Sequence, residues 1–201
     1  MKTETKETPV KGALIYQPQG AAGEYAKWAI NLYHGCSNGC TYCYNRRGVF
    51  SHVFGDKPEL AAPIIRKRDK LLNEYLEKNN MTAHDAIKKG VVDHKGLMAT
   101  LDIISKDLEK IGIDRIRQDG GIFFSFTCDP FDIDADMFIM QQVVLHLLFD
   151  RIPVTILTKN VYWLQTGLWK STLRDLTTDY KDIARLLTIG FTITGKDKLE
   201  P

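Results

Sequence analysis

Cys36, Cys40 and Cys43 stand within the run NLYHGCSNGCTYCYN, spaced C-x3-C-x2-C. Three thiolates on one short loop can bind three irons of a cubane iron–sulfur cluster, whereas most electron carriers use four cysteines. The fourth iron then has no protein ligand, and its open coordination position suits a reaction centre more than an electron wire. The same residues also admit a structural zinc site of three cysteines, with His34 or His52 as fourth ligand. Its usual form has two ligand pairs, and no second pair is visible in the sequence. Gly35 and Gly39 suit a loop that wraps closely around a bulky group. The fourth cysteine, Cys128, lies far along the chain, so the four do not read as a disulfide framework.

A loop of this kind must be delivered by rigid elements. AKWAINLY is a short apolar run that reads as a buried strand leading to Cys36, and GALIYQPQGAAGEY before it reads as an entry loop. A mainly helical section follows, about 56–118. ELAAPIIRKRDKLLNEYLEK places Ile64, Leu71, Leu72 and Tyr75 on one face, and HKGLMATLDIISKDLEKIG is a second helix ending at Gly112. The pattern then changes. GGIFFSFTCDP, IPVTILTKN and RLLTIGFTITG are continuously apolar strands, separated by a helix that Asp134 is expected to cap and by the helical stretch VYWLQTGLWKSTLRDL. This alternation predicts an α/β fold with a parallel sheet covered by helices and about four strand units. Strict alternation along FFSFTCD would turn Ser125, Thr127 and Asp129 to one side. Residues 1–11 read as a polar tail, and 12–201 as a single domain whose sheet stops early, leaving an edge open to self-association.

The chain has 201 residues, 44% of them hydrophobic and 26% charged, with a formal net charge of +2. That is enough for one sizeable core, and the near balance demands no polyanionic partner. No apolar run reaches membrane-spanning length and no signal-peptide core is present, which predicts a cytoplasmic protein without membrane partners. The basic run RKRDK, Arg66 to Lys70, reads first as a solvated helix face and second as a nucleic-acid contact. Trp163 and Trp169 read as partly core.

With Tyr42 placed just before the last cysteine, the C-x3-C-x2-C motif resembles the radical S-adenosylmethionine superfamily. The wider context EYAKWAINLYHGCSNGCTYCYN is similar to spore photoproduct lyase and the related DNA repair photolyase-like proteins, as are FFSFTCDPF, ILTKN and IGFTITGKDKLEP. The resemblance implies a partial parallel (β/α) barrel, apparently truncated at its C-terminus, with a 4Fe–4S cluster on Cys36, Cys40 and Cys43. It implies S-adenosylmethionine on the open iron, one-electron cleavage to a 5′-deoxyadenosyl radical, and an electron donor such as flavodoxin or ferredoxin. A cross-linked pyrimidine in DNA is one implied substrate class; another radical substrate, or a non-catalytic iron–sulfur or zinc module, are the alternatives. By the same resemblance Ser125, Thr127, Asp129, Lys159 and Thr192 fall at cofactor-binding positions, against a plain reading as strand-end turn and surface residues. Tyr42 and Tyr44 fall at positions of hydrogen-atom relay, and Cys128 at a loosely matched hydrogen-donor position, against a reading as a small buried hydrophobe.

Overall fold

The computed structural model describes residues 12–40, 43–47 and 54–192. The chain enters on β1 (Ile15–Tyr16), turns through a 3-10 segment at Gly20–Glu24, and returns antiparallel on β2 (Trp28–Ile30). The predicted entry loop therefore contains an edge strand. Its backbone is held from afar: the Asp107 carboxylate accepts from the N–H groups of Leu14 and Ile15 at 2.7 and 3.0 Å. Next, β3 (Tyr33–His34) pairs antiparallel with β4 (Glu59–Leu60), so the long cysteine loop between them is closed at its base. Inside that loop α1 (Tyr44–Arg47) is a single turn.

Four helices follow, where periodicity revealed two. Pro63 opens α2 (Ala62–Asn79), at a position where the missing N–H has no intrahelical role, and Asn80 ends it in a left-handed conformation. The short α3 (Ala83–Lys88) begins at Thr82, whose hydroxyl accepts from the Asp85 N–H. Gly112 stops α4 (Val91–Ile111), and α5 (Ile113–Gln118) leads back to the sheet. The RKRDK run lies on α2, where Lys67 pairs with Asp102, Arg68 with Asp69 and Lys70 with Glu74. Three of its four cations are thus paired, two within α2 and one across to α4.

Strands and helices then alternate: β5 (Ile122–Phe124), α6 (Met137–Phe149), β6 (Val154–Thr158), α7 (Gly167–Thr178), α8 (Lys181–Ala184) and β7 (Leu187–Phe191). The fold is α/β, with a five-stranded sheet in the order β1-β2-β5-β6-β7. The last four strands are parallel, and only β1 is antiparallel. Strand order follows chain order, without the reversal point of a doubly wound sheet.

Helices cover one face. α4 packs on β1 and α6, and α6 packs on β6 and α8. Trp28, Ile30, Ile122, Phe124, Val154 and Ile156 point into this layer and are buried with Val143, Val144 and Leu147 of α6. The opposite face carries Ala29, Phe123, Thr155 and Leu157, and Leu157 is 38% exposed. The helices expected to cover the sheet therefore lie on this one face of it. β2 and β5 are buried throughout, burial alternates along β6, and β7 has no buried residue.

Two local expectations also change. Asp136, not Asp134, caps α6, accepting from the N–H groups of Phe138 and Ile139 at 2.8 and 3.1 Å, an arrangement worth about 1 kcal/mol. The stretch read as one helix is broken at Thr166, which separates a 3-10 turn at Tyr162–Gln165 from α7 and caps the latter. Trp163 and Trp169 flank that break and are wholly buried. Trp163 stacks on Phe131 with ring centroids 4.1 Å apart, and Trp169 meets both rings edge-on. Truncating a core aromatic of this kind costs about 3–5 kcal/mol. No helix among the described residues is long and apolar enough to cross a membrane.

Candidate functional site

The cysteine loop begins where β3 ends, and its first residue has no room for a side chain. Gly35 has φ +83°, and a Cβ there would lie 2.1 Å from the Lys57 carbonyl oxygen and 3.0 Å from that of Gly55. The Cys36 N–H donates to the same Gly55 carbonyl at 3.2 Å. Gly35 is therefore required by the returning backbone of residues 55–57, which is a different reason from wrapping a bulky group. Gly39, at φ +61°, has open space and serves only the turn after Asn38. Arg46 on α1 closes the loop from the other side. Its guanidinium donates to the Cys36 carbonyl at 2.8 Å and to Asp56 at 2.7 Å.

The parallel strands deliver the remaining groups. Cys36, Cys40 and Cys43 line a cleft of about 260 Å³ together with Ser125, Cys128 and Asp129 after β5, Thr158 and Lys159 at the end of β6, and Thr192 after β7. One wall is aromatic. Phe126 stacks on Phe123 at 4.7 Å, and Tyr25 meets both rings. The Lys159 ammonium donates to Cys40 Sγ at 3.1 Å, placing a cation beside a prospective thiolate. The Ser125 hydroxyl oxygen is buried and without a hydrogen-bond partner among the described residues. The Thr192 N–H continues the strand ladder to the Thr158 carbonyl at 2.8 Å.

Asp129 is the knot of this arrangement. One carboxylate oxygen accepts from the Thr158 hydroxyl at 2.5 Å and the Phe131 N–H at 3.0 Å; the other accepts from the Lys159 N–H at 2.8 Å and the Asn38 amide at 3.0 Å. Four donors fill it, so it fastens the cysteine loop to the end of β6 and leaves little capacity for a ligand. Asp129→Ala is expected to lower stability by about 2 kcal/mol, because the two backbone N–H groups lose their acceptor. Asp129→Asn should lose less; chemical-denaturation midpoints of the three proteins check both.

Asp132, absent from the sequence-based candidates, does for the start of the loop what Asp129 does for its middle. It is fully buried, and it accepts from the Ser37 N–H at 2.7 Å, the Ser37 hydroxyl at 2.6 Å and the Asp134 N–H at 3.0 Å. Burial pushes its carboxyl up, but these donors outweigh it and hold the group below the usual carboxylate range. Since the folded value lies below the unfolded one, the stabilisation is in place above about pH 3.9 and disappears as pH falls through the folded value. Wild-type protein should therefore lose stability on acidification below about pH 4 more steeply than Asp132→Asn, read from denaturation midpoints across that range.

Cys128 is buried, and its thiol lies within 3.1 Å of the Asp129 carbonyl, to which it donates. It also shares a hydrogen bond with Cys36. That bond and its burial push the Cys128 thiol up and keep its proton in place. The same bond draws the Cys36 thiol down against the opposing effect of burial. Cys36, Cys128 and the Asp132 carboxylate all have ligand atoms within 4.8 Å of one another, the one such trio among the described residues. The three loop cysteines share the lining of the cleft but do not form such a trio with one another. His34 is exposed on β3 and outside that trio.

Of the sequence-predicted residues, the cleft brings together Cys36, Cys40, Cys43, Ser125, Cys128, Asp129, Lys159 and Thr192. Thr127 is not among its lining: its hydroxyl donates to the Tyr33 carbonyl at 2.7 Å. The strand ends at Phe124, so the alternation that grouped Thr127 with Ser125 and Asp129 does not extend to it. Tyr42, the Tyr44 side chain and His52 lie outside the described residues. Asn38, Asp132, Tyr25 and Phe123 were missed. The Asn-Gly pair at 38–39 and the acid-rich turn DPFDIDAD were the available signals for the first two. Comparison with family models, with curated proteins and with solved structures gives no match for this chain.

Proposed function

We propose that this chain is a radical S-adenosylmethionine protein of the spore photoproduct lyase-like kind, in which Cys36, Cys40 and Cys43 hold a 4Fe–4S cluster. One observation carries the reading: the three cysteines and the polar ends of successive parallel strands line a single cleft. The donor set fits the group. Three thiols line one cleft, a cation lies against one of them, and a buried hydroxyl on the same cleft lacks a partner among the described residues. When bound, the cluster and S-adenosylmethionine supply one-electron cleavage of a carbon–sulfur bond and a 5′-deoxyadenosyl radical.

The chain's own residues have separate tasks in this reading. Lys159 offsets thiolate charge at Cys40, and the resemblance places it at the position that meets the carboxylate of the cofactor. The Ser125 hydroxyl is the polar group ready for the amino-acid end of the cofactor. Asp129 and Asp132 position the loop instead of touching the cofactor. Tyr25, Phe123 and Phe126 form a wall on which a planar group can stack, which keeps a pyrimidine in DNA among the substrate classes. A flavodoxin or ferredoxin is the proposed electron donor.

Anaerobic reconstitution with iron and sulfide tests the reading. Protein carrying about four irons, whose reduced spectrum changes on adding S-adenosylmethionine and which releases 5′-deoxyadenosine, is the expected result. A protein that takes up no iron, or a cluster indifferent to the sulfonium compound, defeats it.

A further inference from the structure

We propose that Cys36, Cys128 and Asp132 form a second metal site, one that takes a single thiophilic divalent cation of the zinc type. It rests on a trio of ligand atoms independent of the cluster reading, though the two sites share Cys36 and so exclude each other.

The two sulfurs and the carboxylate lie within 4.8 Å of one another. A tetrahedral ion with metal–sulfur bonds of about 2.3 Å and metal–oxygen bonds of about 2.1 Å draws such atoms together by only a small closure. Cys128 and Asp132 are 7% and 0% exposed, so the ion would displace no surface hydration from them. The carboxylate is already aimed. The Ser37 N–H, the Ser37 hydroxyl and the Asp134 N–H hold its oxygens, the kind of outer hydrogen bonding that orients metal ligands. Access is provided because Cys36 and Cys128 both line the open cleft, from which water can fill the fourth position. On binding, the Cys36 and Cys128 thiols give up their protons to water in the cleft, and the resulting two thiolates and a carboxylate form a soft, anionic set that selects zinc-like ions over magnesium or calcium. The ion would staple the cysteine loop to the turn between β5 and α6, and while bound it would withhold Cys36 from a cluster.

Cobalt(II) is the probe. Reduced, metal-free full-length protein titrated anaerobically with cobalt should bind one equivalent, with the visible bands of tetrahedral cobalt and a thiolate-to-cobalt charge-transfer band. Cys128→Ala should weaken binding by at least about tenfold and Asp132→Asn should weaken it as well, while Cys40→Ala binds as wild type does. Bands that survive in Cys128→Ala and vanish in Cys40→Ala would place the ion on the three-cysteine loop and overturn the proposal. So would the absence of tetrahedral bands in wild-type protein. Failure to assemble an iron–sulfur cluster counts only against the proposed function, since the cobalt spectra are read without iron or sulfide.

Discussion

Cys40→Ala is expected to fold normally and to retain less than about a tenth of the iron that wild-type protein takes up on reconstitution. The two halves of this expectation have separate causes. Cys40 is half-buried, and among the described residues its thiol meets the Lys159 ammonium and, at 3.9 Å, the Asn38 carbonyl. Its removal opens no core cavity, so the denaturation midpoint should move by no more than about 0.5 kcal/mol. In the proposed reading, a cluster held at only three corners cannot spare a ligand. Cleavage of S-adenosylmethionine should fall to background with the iron. Cys36 would be a poorer choice, because it also leans on Cys128 and its loss mixes ligand removal with repacking. A Cys40→Ala protein that keeps its iron would show that this thiol has another role.

Gly35→Ala should be among the most damaging single substitutions in the loop, at about 3–4 kcal/mol. The added carbon would sit 2.1 Å from a backbone oxygen of Lys57, and the residue would occupy a φ of +83° that alanine resists. The obstructing atom is backbone, so no side chain can rotate away. The strand pair β3–β4 would have to part, and the Cys36–Gly55 hydrogen bond would go with it. Gly39→Ala provides the control. It meets only the strain of a positive φ, about 1–2 kcal/mol, because its nearest neighbour is 4.0 Å away. Equal losses in the two variants would show that conformation, not the close crossing, is what glycine supplies at position 35.

The parts of this molecule that follow from near neighbours were legible in the sequence. The end of α4 at Gly112, the strand at Val154–Thr158 and the clustering of three cysteines each depend on a dozen residues or fewer. The parts that depend on distant partners were not. β1 is two residues long and is held by Asp107 on α4, so nothing local distinguishes it from a loop. Asp132 resembles any turn aspartate until Ser37, 95 residues away, is brought against it. The cap on α6 fell to Asp136 because Asp134 sits in the turn that Asp132 organises. The continuously apolar strands read as a sheet covered by helices without telling which face, and the side occupied by Phe123 and Leu157 is the one that opens on the cleft. In the candidate site, residue types identified the thiols, while the side chains that hold them in place emerge only from tertiary contacts.

The monotonic strand order has an engineering corollary. Each βα unit contributes its own tip to the rim, and neighbouring tips are joined by Asp129, by the Asn160 amide on the Phe131 carbonyl and by the Phe131–Trp163 stack. Grafting a foreign tip between Asn160 and Thr166 would therefore exchange a portion of the mouth as a cartridge, provided the graft retains Trp163 against Phe131 and Thr158, Lys159 and Asn160 are kept.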